Sequence, residues 1–294
     1  MLFEAPTLAF PPQRVVSLVP SVTESLFDLD LGERVVGRTD YCIQPKGRVE
    51  RVPSVGGTKT PDVERILALA PHLVIANYEE NRRQDVEALQ AAGIPVWVTF
   101  PQTVQEALNL LWEMMNLFDH QTMVARVRLI EYTYDWVNSI ALSNEDQVVK
   151  VFVPIWSDPL MTFNQETYMH DMVRVCGGTN IFAQMDRGIL ASSDFASEGE
   201  VLSYEQLNKY PDGLAMRYPK VSLAEVVAHQ PNVILLPSEP FHFQEHHLAL
   251  FQSLDVPAAK QGRIHLADGS LLSWHGTRIA YALEQLPKLI RPVE

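Results

Sequence analysis

Two hydrophobic periods alternate along the first hundred residues. The β-branched run Arg14–Val19 reads as a strand, Ser21–Leu31 as a helix and Arg34–Gly37 as a second short strand. Pro61–Ala70 places Val63, Ile66, Leu67 and Ala70 at helical spacing, and Pro71 ends that helix before the apolar strand Leu73–Ala76. Asn81–Ala92 is another helix, Gly93 its expected C-terminal cap and Ile94–Val98 the next strand. Strands joined by helices predict a mainly parallel α/β sheet.

From Thr103 to about Ser143 the helical pattern continues without Pro or Gly, with Asp119 and His120 as the break between two helices. Such a connection is stiff, unlike a Gly/Ser linker. Strand and helix then alternate again: strand Val148–Val153, helices Thr167–Val175 and Val221–Gln230, strands Asn232–Leu236 and Arg263–Leu266, and helix Thr277–Ile290. The expected organisation is an N-terminal lobe over 1–118, a connecting helix within 119–143 and a C-terminal lobe over 144–294. An internal repeat supports two similar lobes: Glu64-Arg-Ile-Leu-Ala-Leu-Ala-Pro71 matches Ala224-Glu-Val-Val-Ala-His-Gln-Pro231, each leading into an apolar strand.

At 294 residues the chain has length for two cores, and 47% hydrophobic with 20% charged residues is an ordinary globular composition. A formal charge of −13 without a Lys/Arg cluster argues against a nucleic-acid partner. No stretch approaches the roughly 20 apolar residues of a membrane span. The first twenty residues lack a secretory pattern, so a cytoplasmic location is expected, with a periplasmic or cell-surface one if translation starts upstream. Cys42 and Cys176 form no disulfide framework and are read as reduced thiols.

Ligands of open parallel sheets bind beyond the C-terminal strand ends. That rule nominates Pro20, Tyr41, Cys42, Asn77, Tyr78, Trp156, Glu239, Trp274 and His275. Ser21-Val-Thr-Glu24 reads as a capping box opening the first helix. Trp156, Tyr218 and Trp274 are read as aromatic lining of a ligand pocket, with core packing as the alternative. His275, beside Gly276, is a candidate metal ligand or a loop hydrogen-bonding group, and Cys42 a candidate thiolate or a small buried residue. His242 and His246, four apart, together with His247, suggest a weak metal site on a helix face. Residues 183–220, with Asp186, Asp194, Glu198, Glu200, Glu205 and Pro211-Asp-Gly213, form a long connection that reads as a lid or as surface elaboration. No nucleophile elbow, P-loop or dinucleotide fingerprint occurs, so an enzyme is not expected.

The segments RVVSLVPSVTESLFDLDLGERVVGRTDYC, TPDVERILALAPHLVIA, VRVCGGTNIF and DGSLLSWHGTRIAYAL, in that order, resemble the class III periplasmic binding proteins, whose members bind cobalamin, haem and iron–siderophores. The cobalamin-binding, BtuF-like branch is the nearest in character. The resemblance implies two Rossmann-like lobes joined by a long rigid helix, a ligand cleft between the lobes, and no intrinsic cofactor. Cobalamin or another corrinoid is the implied ligand, with haem or an iron–siderophore behind it; a corrinoid- or tetrapyrrole-handling enzyme is the alternative in another class. Members serving an ABC importer dock on the permease through one glutamate per lobe. Glu64 matches the first position; Ala224 occupies the second, and Glu225, one residue on, is turned about 100° away. Symmetric docking is therefore not expected.

Overall fold

The computed structural model describes residues 4–144, 146–185 and 217–291. The chain divides into two compact units: Met1–Tyr132 with Trp274–Ala280, and Thr133–Ser273 with Tyr281–Glu294. The segment Trp274–Ala280, read from sequence as part of the C-terminal lobe, thus belongs with the first unit.

In the first unit, strands β1 (Val15–Ser17), β2 (Val35–Arg38), β3 (Leu73–Asn77) and β4 (Val96–Thr99) form a parallel sheet in the order β2-β1-β3-β4. All five residues of β3 are buried, which is why this strand reads as a continuous apolar run without alternation. Helices α1 (Pro20–Asp28), α2 (Val63–Ala68) and α3 (Arg83–Ala91) connect these strands, with Val16, Leu18, Ile66, Val74 and Leu89 in one core. Gly93 follows α3 at φ +82°, the left-handed conformation that suits a helix-ending glycine. Helix α4 (Val104–Leu117) opens on a Thr103/Glu106 capping box, and Asp119 at φ +47° breaks it from α5 (Val124–Ser143). The unit boundary falls inside α5.

The second unit repeats the arrangement. Strands β5 (Lys150–Phe152), β8 (Thr179–Asn180), β9 (Val233–Pro237) and β10 (Ile264–Ala267) form a parallel sheet ordered β8-β5-β9-β10, and β6 (Trp156–Ser157) and β7 (Leu160–Met161) form a small hairpin. Its helices are α6 (Tyr168–Val175), α7 (Leu223–His229), α8 (Glu245–Gln252), α9 (Pro257–Lys260), α10 (Ser270–Ser273) and α11 (Ile279–Ile290). Phe152, Phe182, Val226, Ile234, Phe243 and Phe251 share its core.

The repeat seen in sequence extends to fine detail. Helices α2 and α7 each precede a fully buried five-residue strand, and after each the residue before the proline, Ala70 and Gln230, has positive φ. The Arg14 guanidinium donates to the Leu69 carbonyl at 3.1 Å, and Lys150 Nζ donates to the His229 carbonyl at 3.2 Å. In both units a basic side chain from the residue preceding or opening the first strand thus satisfies a terminal helix carbonyl.

Candidate functional site

Each sheet presents residues beyond its C-terminal strand ends, and the two sets are built differently. In the first unit, Thr39–Ile43 follows β2. Tyr41 is 62% exposed and Ile43 is exposed, whereas Cys42 between them is buried. The Cys42 Sγ accepts from Thr23 Oγ1 at 3.0 Å and lies 3.2 Å from Thr39 Oγ1; burial pushes the thiol pKa up. Cys42 is therefore held as a buried thiol by two threonine hydroxyls, and burial opposes the thiolate form there.

After β3, the Asn77 side chain accepts from the backbone N–H groups of Glu79 and Glu80 at 2.8 and 3.2 Å, and Asn81 donates to the Thr58 carbonyl at 2.9 Å. Asn77 is buried and shapes the loop; half-buried Tyr78 stands on it, its ring 5.0 Å from that of Phe100. Lys59, not singled out from sequence, donates to the Glu79 carbonyl, and burial lowers its pKa. Nothing local in Gly-Thr-Lys-Thr marks it, because only the fold brings residues 58–60 beside residues 79–81.

The segment after α10 is fixed to α1. Arg278 donates to both Glu24 carboxylate oxygens, at 2.9 and 2.6 Å, and its guanidinium lies 5.4 Å from the Trp274 ring centroid. Ser21 Oγ lies 3.3 Å from His275 Nε2, and Ser25 Oγ accepts from Thr277 N at 3.1 Å. Gly276 sits at φ +83°, where an added Cβ would lie 2.1 Å from Ser25 Oγ, so glycine is required on both counts. His275 is 5% exposed, and burial lowers its pKa to about 4. Trp274 is buried as well.

These contacts correct the capping-box expectation. Helix α1 begins at Pro20, its N-cap Val19 makes no side-chain cap, and Ser21 and Glu24 instead meet partners some 250 residues away. The motif was locally sound, but burial of both side chains against 274–278 decided their roles. Pro20, with no N–H, occupies the first helical turn.

In the second unit, Trp156 lies on the β6–β7 hairpin. Its indole N–H donates to the Asp158 carbonyl at 3.1 Å, and its ring meets Phe241 edge-on at 5.5 Å. Phe241, Phe243 and His247 continue this aromatic cluster. Glu239 accepts from Ser273 Oγ at 2.8 Å, and Tyr218 is half-buried beside buried Arg217, which pairs with Glu166 at 3.7 Å. His242 precedes α8, so it does not share a helix face with His246; His247 instead accepts from Gln244 N at 3.0 Å. Among the described residues no group of three or more His, Cys, Asp or Glu could hold a metal, and no helix is long and apolar enough to cross a membrane. Asp186, Asp194, Glu198, Glu200, Glu205 and Pro211-Asp-Gly213 lie outside the described residues.

Glu64 is exposed at the second position of α2, after the Asp62 cap. Ala224 holds the same position of α7, after the Ser222 cap. Glu225 closes the capping box, its carboxylate accepting from Ser222 N at 2.8 Å and Ser222 Oγ at 2.9 Å, so it is committed to the helix start.

The family model for periplasmic binding proteins matches residues 15–216. The vitamin B12-binding protein of Vibrio parahaemolyticus is 25% identical over 237 residues, 80% of this chain and 74% of that one. Its counterpart in Yersinia pestis (strain Pestoides F) is 30% identical over 174 residues, 58% of this chain and 60% of that one. Among solved structures, the periplasmic vitamin B12 binding protein BtuF of Vibrio cholerae superposes with a TM-score of 0.72 at 22% identity, covering 96% of this chain and 98% of that one. The periplasmic heme-binding protein RhuT from Roseiflexus sp. RS-1 gives 0.71 at 22% identity, covering 95% and 97%. At these identities the solved structures establish the fold. The cytoplasmic placement expected from the N-terminal sequence is overturned: the matching family is periplasmic, and the first residues as written do not decide the compartment.

Proposed function

Because the chain belongs to the periplasmic binding protein family, we propose that it is a non-enzymatic binding protein for a metal chelate, with cobalamin or another corrinoid as its ligand. The observation that carries this reading is the alignment with vitamin B12-binding proteins over as much as 80% of the chain. The chelate is cargo and not a resident cofactor.

A corrinoid is a broad macrocycle with an apolar face and a polar rim, and it is best met by aromatic surface with a few hydrogen-bonding groups. Tyr41 and Tyr78 with Lys59 in the first unit, and Trp156 and Tyr218 with Glu239 in the second, supply groups of that kind. Pro20, Ser21, Cys42, Asn77, Trp274 and His275 are buried and act by holding the backbone that carries the contacting residues. The hydrogen bond to Ser21 and the burial of His275 favour that supporting role over metal ligation.

The partner receiving the chelate is an ABC importer, engaged asymmetrically: Glu64 offers an exposed carboxylate, whereas Ala224 offers none and Glu225 is held by its cap. Titration of tryptophan fluorescence and visible absorbance with cobalamin tests the ligand assignment. Tyr41→Ala and Trp156→Ala should each weaken binding about tenfold, the loss of one aromatic contact of about 1.4 kcal/mol. Wild-type protein that takes up no cobalamin refutes the function; variants that bind like wild type refute the assigned contacts alone.

A further inference from the structure

The loop between β9 and α8 carries an exposed histidine, His242, outside the contacts assigned above. Residues 238–244 leave the C-terminal end of β9, the end at which open parallel sheets meet their ligands. The loop is pinned at several points. Ser238 N–H donates to the Ala267 carbonyl at 3.0 Å, Phe243 N–H to the Pro237 carbonyl at 3.1 Å, and Gly269 N–H to Ser238 Oγ at 3.0 Å. Glu239 is held by Ser273, and the Phe241 ring meets that of Trp156. His242 therefore stands on a fixed backbone, one residue from the aromatic pair that includes Trp156.

Its imidazole is oriented as well. His242 Nδ1 lies 3.1 Å from the Ser238 carbonyl oxygen. A carbonyl only accepts, so Nδ1 carries the hydrogen and, in the neutral ring, Nε2 carries the lone pair. Metal-bound histidines share this arrangement: one ring nitrogen donates to a backbone carbonyl or a carboxylate, which fixes the tautomer and the ring plane and makes the other nitrogen more basic. His247 is the opposite case. Its Nδ1 accepts from Gln244 N–H at 3.0 Å, so in the neutral ring Nε2 holds the hydrogen and no lone pair is left for a metal.

We infer that His242 Nε2 is an axial ligand to the cobalt of a bound corrinoid. The inference rests on the corrinoid reading proposed above and adds to it a choice among corrinoids. The corrin nitrogens fill the equatorial positions of Co(III), so a protein nitrogen enters only where an axial ligand leaves, and a single imidazole is enough because the macrocycle supplies the other donors. With aquacobalamin the Co–O bond to water breaks as the Co–N bond to Nε2 forms; the water departs intact, and cobalt keeps its oxidation state. Cyanocobalamin holds the same axial position with a strongly bound carbon ligand and offers no such exchange.

Separate titrations of the full chain with aquacobalamin and cyanocobalamin, followed by calorimetry and visible absorption, test the inference. Aquacobalamin should bind at least about tenfold more tightly than cyanocobalamin, with a shift of its corrin absorption bands that marks replacement of water by nitrogen. His242→Ala, with unchanged circular dichroism, should lose both the shift and the preference, whereas His246→Ala, altering an exposed histidine of α8, should keep both. Equal affinity for the two cobalamins without a band shift, or a shift that persists in His242→Ala, overturns the inference and leaves the corrinoid reading standing. Wild-type protein that takes up neither cobalamin overturns both.

Discussion

Acidification should destabilise this protein through one buried imidazole. His275 is 5% exposed, and burial depresses its pKa to about 4. In the unfolded chain the same group titrates near 6.5. Between these values the unfolded state holds the extra proton, so stability is full above about pH 7 and declines as pH falls through the window from about 6.5 to about 4. The 2.5-unit gap corresponds to about 3 kcal/mol, of which about 2 kcal/mol is already lost at pH 5. His265 and His170, also lowered by burial, contribute losses of the same sign. The informative quantity is therefore the difference between wild type and His275→Asn. Urea unfolding at pH 7.5 and pH 5 gives it: the variant loses packing and the Ser21 contact at both pH values, but its stability should fall less on acidification, by about 2 kcal/mol. Equal pH dependence in the two proteins would refute a neutral, buried His275.

Three further outcomes follow from named contacts. Gly276→Ala places a methyl group against Ser25 at positive φ and should cost about 2 kcal/mol in urea unfolding, whereas Gly93→Ala, with nothing within 4 Å of its added Cβ, should cost less. Glu24→Gln leaves the buried Arg278 charge without its carboxylate and should lower stability by about 3 kcal/mol, a loss that replacing both partners with apolar residues would reduce. In pull-downs with a reconstituted cobalamin importer, Glu64→Ala should weaken capture and Ala224→Glu strengthen it; equal capture of all three proteins would reject asymmetric docking.

The fold was largely legible because its signals are local and repeated. Buried strands such as Leu73–Asn77 and Val233–Pro237 announce themselves as apolar runs, and Thr103–Ser143 contains no helix breaker. The match of Glu64–Pro71 to Ala224–Pro231 exposed the internal repeat, which the structure extends to strand order and helix-end capping. The candidate site was harder to read, because position after a strand does not tell whether a side chain points to solvent or into the protein. Tyr41 and Cys42 are adjacent, yet one is an exposed ring and the other a buried thiol. Ser21 and Glu24 carried a correct local motif that lost to partners at His275 and Arg278, and Lys59 acquires its place only through a contact with Glu79. Compartment was misread for a related reason: it was inferred from the first residues, whereas the family match rests on residues 15–216.

The central claim is that the chain binds a corrinoid, and parallel calorimetric titrations of the purified protein with cobalamin, haem and a ferric siderophore test it most directly. The account predicts saturable one-to-one binding of cobalamin, tighter than for the other two by at least about tenfold, or about 1.4 kcal/mol. Saturable binding of haem or the siderophore with none of cobalamin would contradict it.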